Sequence, residues 1–129
     1  MFVESASRYR AAAQFRAALR QFLRKSEVAA RAAGVTPRQH LLLLQIAAAE
    51  GKTTVSELVQ TLALTQSAVT ELVQRAEQAG LVRRTASPQD GRVAHLSLTR
   101  EGRERLARVH DALGPERAEL RRVMDALDD

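Results

Sequence analysis

The sequence predicts a mainly α-helical fold with a small β-wing: a winged helix-turn-helix flanked by helices from both ends of the chain. Three observations predict it. Two helical stretches within Thr54–Ala79, opened by Thr54 and Thr65, are separated only by a turn at Ala63-Leu64. Two alternating stretches, Leu81–Thr85 and Val93–Leu98, bracket the turn-forming segment Ser87-Pro88-Gln89-Asp90-Gly91. On either side, residues 1–35 and 103–129 read as helix, with apolar positions recurring at helical spacing.

The elements follow in order. From about Ser7 to Ala33 the chain is Ala- and Arg-rich and lacks Gly and Pro, and Phe15, Leu19, Phe22 and Ala33 recur along one stripe. A helix this long exceeds what one small core can cover, so part of its stripe is expected to meet a second subunit. Gly34 ends it. Thr36-Pro37-Arg38-Gln39 supplies an N-cap, a proline at the first helical position and a capping-box glutamine. The helix that follows is apolar nearly all round (Leu41, Leu42, Leu43, Leu44, Ile46) and is expected to be buried. Thr53-Thr54 is expected to add a short strand against the wing. Thr54-Val55-Ser56-Glu57 reads as a second capping box. Gly80 suits the stop of the helix after Thr65, and Thr99 caps another helix running to about Leu113. Gly114-Pro115 breaks that helix, and Leu120, Val123, Met124 and Leu127 then form a narrow seam suited to a partner helix. Residues 36–102 are thus the winged unit, and 1–35 with 103–129 the helical dimerisation region of one compact chain.

Composition bounds the function. At 129 residues, 45% hydrophobic and 27% charged, this is one globular domain. The longest apolar run, Leu41–Leu44, is far short of a membrane span, and Met1–Arg10 carries no targeting pattern, so a cytoplasmic protein with no membrane partner is expected. With no cysteine, disulfides and thiol redox sensing are excluded. His40, His95 and His110 include no i,i+4 pair, so neither a metal site nor any cofactor is expected. No Gly-rich phosphate loop, Ser/His/Asp set or paired carboxylates stand at useful spacing, which argues against an enzyme. Four aromatics are too few for stacking single-stranded bases. The net charge of +5 suits a polyanion, yet it is uneven. Residues 81–108 carry seven basic and three acidic groups, whereas 36–80 carry three and four, so the wing is basic and the helix-turn-helix is not.

On the helix after Thr65, Val69, Leu72, Val73 and Ala76 share one face, leaving Gln66, Ser67, Thr70, Glu71 and Gln74 on the other. Short hydroxyl and amide side chains at a helix N-terminus are what reads base edges in a major groove. Glu71 is repelled by phosphate; it can accept from a cytosine amine or tether a neighbouring arginine. Arg92, at the hairpin tip, can enter a narrow minor groove, with Asp90 bracing it or the loop. Arg83 and Arg84 on the first wing strand are expected at phosphates.

Four motifs in register resemble the MarR family of bacterial transcription regulators: Gly34-Val35-Thr36-Pro37-Arg38-Gln39, Glu77-Gln78-Ala79-Gly80-Leu81-Val82, Asp90-Gly91-Arg92 and Leu98-Thr99-Arg100-Glu101-Gly102. The resemblance implies a homodimeric repressor whose terminal helices interlock, with a recognition helix in the major groove and a wing arginine in the minor groove. It assigns DNA contact to Gln66, Ser67, Thr70, Gln74, Arg75 and Arg92, to which the capping Thr65, Arg83 and Arg84 are added, with Asp90 as wing support. Gln74 departs from the aspartate common before the arginine matched by Arg75, which puts the bracing of Arg75 in doubt. Ala76 is smaller than the family's usual residue, which implies looser local packing. By analogy a small aromatic or phenolic effector is expected between the dimer helices and the winged unit, against Phe15, Leu19, Phe22, His40, Leu44 and His110. For His110, on the apolar side of its helix, the plainer reading is a hydrogen-bonded core histidine.

Two functions therefore stand. One is a sequence-specific reader of double-stranded DNA, acting as a homodimer on a pseudo-palindromic operator; the other is a winged-helix architectural or protein-interaction module without sequence readout.

Overall fold

The computed structural model describes residues 2–127, and within them the chain forms six helices and one two-stranded antiparallel sheet. No helix among these residues is long and apolar enough to cross a membrane.

Helix α1 (Phe2–Ala32) begins ahead of the expected Ser7. It ends at a Schellman turn: Val35 N–H donates to the Ala30 carbonyl and Gly34 N–H to that of Arg31, both at 3.0 Å. Gly34 takes φ 81°, a left-handed conformation that glycine adopts without a Cβ penalty. Helix α2 (Pro37–Ala48) opens with the full capping box, Gln39 N–H on Thr36 Oγ1 at 3.1 Å and Thr36 N–H on Gln39 Oε1 at 3.0 Å. It sits at the centre of the fold, touching α1, α3, α4, α5 and β2. Its burial is nevertheless one-sided. His40, Leu42, Leu43 and Ile46 are buried, while Leu41 and Leu44, 53% and 42% exposed, face the open cleft between α1 and α5.

Helix α3 (Val55–Leu62) is capped by Thr54, which accepts from Glu57 N–H at 3.2 Å. The expected reciprocal bond is not made; the Glu57 carboxylate accepts from Thr53 Oγ1 at 3.3 Å instead. Ala63, left-handed at φ 54°, turns the chain into α4 (Gln66–Gln78), capped by Thr65. A second Schellman turn ends α4, with Gly80 at φ 75° and Leu81 N–H on the Ala76 carbonyl. Strands β1 (Val82–Ala86) and β2 (Ala94–Leu98) then pair with Val82 opposite Leu98 and Ala86 opposite Ala94. Thr53 adds the expected bridge to Leu96.

Helix α5 (Arg100–Ala112) starts where the wing closes. Thr99 N–H donates to the Leu81 carbonyl at 3.0 Å, and Thr99 Oγ1 donates to the Gly80 carbonyl at 2.5 Å. Thr99 Oγ1 also accepts from Gly102 N–H, capping α5. Gly102 is buried with its Cα face flush against the Leu81 carbonyl, where a Cβ would collide with backbone. Only Leu113 separates α5 from α6 (Gly114–Asp125), which returns along α1 with Lys25 paired to Glu116 at 3.3 Å. Of the expected α6 seam, Val123 is buried and Leu120 half-buried, while Met124 and Leu127 are exposed.

One apolar cluster joins both ends of the chain to the winged unit, running from Ala30, Ala33 and Val35 through Leu42, Leu43, Leu58, Val69, Val73, Leu96 and Leu98 to Val109 and Leu113. Arg105 of α5 adds a polar tie across the same junction. Its Nη1 donates to the Gly34 carbonyl at 2.8 Å and its Nε to Glu101 Oε1 at 2.8 Å. That hydrogen bond, with the charge of Arg105 second, holds the Glu101 carboxyl below the usual carboxylate range.

Two stability measurements follow. Gly102→Ala gains helix propensity but forces Cβ onto the Leu81 carbonyl, and a net loss of about 2–3 kcal/mol is expected in urea unfolding; a loss below about 0.5 kcal/mol would show that the seam relaxes freely. Burial of His40 lowers its pKa from 6.5, so below that pH the unfolded chain takes up a proton that the native chain resists. Stability is therefore full above pH 6.5 and falls as pH drops below it, and His40→Gln should make that decline shallower in denaturation series at about pH 7.5 and 5.

Candidate nucleic-acid interface

The face of α4 turned away from the core begins at its N-terminus. Val69, Val73 and Ala76 are fully buried and Leu72 is half-buried, and that one-sided anchoring leaves Gln66, Ser67, Glu71, Gln74 and Arg75 exposed, with Thr70 half-buried. Thr65 is exposed and occupied as the cap, its Oγ1 accepting from Ala68 N–H at 3.1 Å. The free amides of this first turn and the hydroxyls and carboxamides beside them form a mixed donor–acceptor surface.

The arginines around this face are held by carboxylates. Arg75 Nη2 lies 2.7 Å from Glu71 Oε1, one turn back on the same helix, so Glu71 supplies the bracing that Gln74 cannot. Arg84 Nε lies 3.0 Å from Glu77 Oε1, which ties β1 to the last turn of α4. At the wing tip, Asp90 Oδ1 accepts from both the backbone N–H of Arg92 at 3.1 Å and its Nε at 3.3 Å. Asp90 thus braces loop and guanidinium together. Val93 N–H returns to the Asp90 carbonyl and Ser87 N–H to the Val93 carbonyl, closing the loop under an Arg92 side chain that remains 92% exposed. Arg83 is exposed beside Arg84, its residue opposite Ser97 across the hairpin.

Sequence reasoning missed one neighbour of this face. Arg38, at the start of α2, lines a shallow groove of about 320 Å³ with Thr36, Glu71, Leu72 and Arg75. The local pattern identifies Arg38 only as part of a helix start; the packing of α2 against α4 is what brings it to α4.

The residues expected around an effector are only partly gathered. Phe22, His40, Leu44 and His110 line a largely apolar cleft of about 430 Å³ between α1, α2 and α5, along with Leu41 and Leu106. Phe15 and Leu19, further toward the N-terminus of α1, do not line it. His110 is exposed rather than a core histidine: the apolar side of α5 that it continues opens into the cleft instead of closing on a neighbour. Among the described residues, no cluster of three or more His, Cys, Asp or Glu is placed to hold a metal ion.

Known proteins share this fold. The sequence profile described as MarR family matches residues 33–93. The chain is similar to the HTH-type transcriptional repressor MdtR of Bacillus subtilis, 44% identical over 69 residues that make up 54% of this chain and 44% of that protein. It therefore spans less than half the length of that curated relative. Among solved structures it is similar to the YusO protein of Bacillus subtilis, 30% identical with a TM-score of 0.64, covering 88% of this chain and 78% of that one. It is also similar to the transcriptional regulator MOSR of M. tuberculosis, solved in complex with DNA, 28% identical with a TM-score of 0.62, covering 81% and 75%. With these likenesses, the chain belongs to the MarR family of transcriptional regulators.

Proposed function

We propose that this chain is a sequence-specific, double-stranded-DNA-binding transcriptional regulator, a repressor that acts in the cytoplasm as a homodimer on a pseudo-palindromic operator. The observation that carries the reading is the polar N-terminal face of α4, held beside a wing whose exposed Arg92 is pre-aimed by Asp90. In this reading Gln66, Ser67, Thr70, Gln74 and Arg75 face base edges, and Arg92 enters the minor groove. Thr65, Arg83, Arg84 and the additional Arg38 serve the phosphates. The likeness to a repressor and to a DNA-bound regulator supports this assignment.

Dimerisation is supported by apolar side chains left uncovered on α1 and at the C-terminal end, where Tyr9, Val28, Met124 and Leu127 are exposed. The cleft beside Phe22 and His40 fits a small aromatic effector that would relieve repression.

Selecting bound duplexes from a random pool tests the whole reading. Two half-sites about 10 bp apart should emerge, preferred over random DNA by about 10³-fold or more at physiological salt. Equal affinity for selected and random duplexes would favour an architectural or protein-interaction module instead. Arg92→Ala should weaken binding to the selected duplex by about 1–3 kcal/mol in a gel-shift titration, and unchanged binding would remove the wing from the interface. Light scattering at micromolar concentration should give twice the chain mass of 14.2 kDa.

A further inference from the structure

We infer that Glu71 is a specificity-determining residue that reads the amine of a cytosine and, through its ion pair with Arg75, suppresses binding to other DNA. The inference rests on the reading of α4 as the recognition helix. Glu71 stands on the exposed face of α4 beside Thr70 and Gln74, where a carboxylate opposes any approach to phosphate. Its partner is 2.7 Å away, and the two side chains are 62% and 70% exposed. An ion pair so open to solvent contributes little to the fold and is easily exchanged for other partners. It nevertheless decides what α4 presents to a groove. While the pair is closed, the Arg75 guanidinium is turned back along its own helix and its charge is neutralised. Of the neighbouring arginines, Arg84 is similarly held by Glu77 and Arg92 by Asp90.

A carboxylate entering the major groove loses water and recovers that loss only against a donor. Cytosine offers its N4 amine there with an acceptor on one side only, the O6 of its partner, whereas the N6 amine of adenine lies between its own N7 and the thymine O4, and guanine and thymine present oxygen. Glu71 is therefore satisfied at a C·G pair. Moving onto that amine, it releases Arg75, whose planar fork matches the O6 and N7 of a guanine in the adjoining pair. At any other pair Glu71 stays on Arg75, and the helix meets the duplex with an unrewarded carboxylate and no free guanidinium. One residue thus adds affinity on the right sequence and removes it on the wrong one.

Pool selection on three proteins tests this. The wild type should fix one C·G pair in each half-site. Glu71→Ala should lose preference at that pair alone, and should bind random duplex about ten-fold more tightly with a steeper dependence on salt. Glu71→Gln, whose carboxamide pairs bidentately with adenine, should shift the same position to A·T. All three should melt at the same temperature to within a few degrees, since the pair is exposed. A base-preference profile unchanged in Glu71→Ala would overturn the inference while leaving the regulator intact. A wild type that enriches no sequence would overturn the regulator, and this inference with it.

Discussion

The seam between Gly102 and the Leu81 carbonyl is the contact on which the rest of the arrangement depends. A helix of ordinary residues cannot approach another backbone this closely, because the Cβ at that position would occupy the space of the carbonyl. With glycine there, Thr99 reaches both Gly80 and Leu81, and the chain leaves α4 and re-enters α5 at one point. Val82 is therefore set opposite Leu98, and the hairpin register follows outward to the wing tip. A glycine that weakens the first turn of α5 locally is what gives the wing a fixed direction relative to α4.

A second tie lies on the other side of α5. Arg105 holds the Gly34 carbonyl, where α1 hands over to α2, and Glu101 fixes the guanidinium that does so. Helix α5 is thus joined to the winged unit at both of the unit's ends: through Thr99 and Gly102 at the wing, through Arg105 at the start of α2. The apolar cluster runs continuously under both ties, and the cleft lined by Phe22, His40 and Leu44 opens between the elements they join. Displacing α2 from α5 would move the same helices that place α4 and the wing.

The candidate interface is less positive than its arginine content suggests. Arg75, Arg84 and Arg92 each carry a carboxylate partner, and only the wing stretch is basic in sum. Exposed pairs of this kind add little stability, so their consequence lies in what they present to a polyanion: side chains held in direction and with their charge offset until a better partner arrives.

The sequence by itself determined what is decided within a few residues. Threonine caps at Thr36, Thr54, Thr65 and Thr99, glycine stops at Gly34 and Gly80, and the alternation of the wing strands were legible because each is an interaction between near neighbours in the chain. The Asp90–Arg92 brace and the tethering of Arg75 by Glu71 were within reach for the same reason. Only the tertiary structure decided the rest. Leu41, Leu44 and His110 lie on an open cleft rather than in a core, and Phe15 and Leu19 fall outside that cleft. Arg38 reaches α4, Arg84 reaches Glu77 and Arg105 reaches Gly34 only once the helices have packed. Hydrophobic spacing shows that a helix has an apolar face, but which neighbour covers that face, and how far, depends on elements distant in the chain.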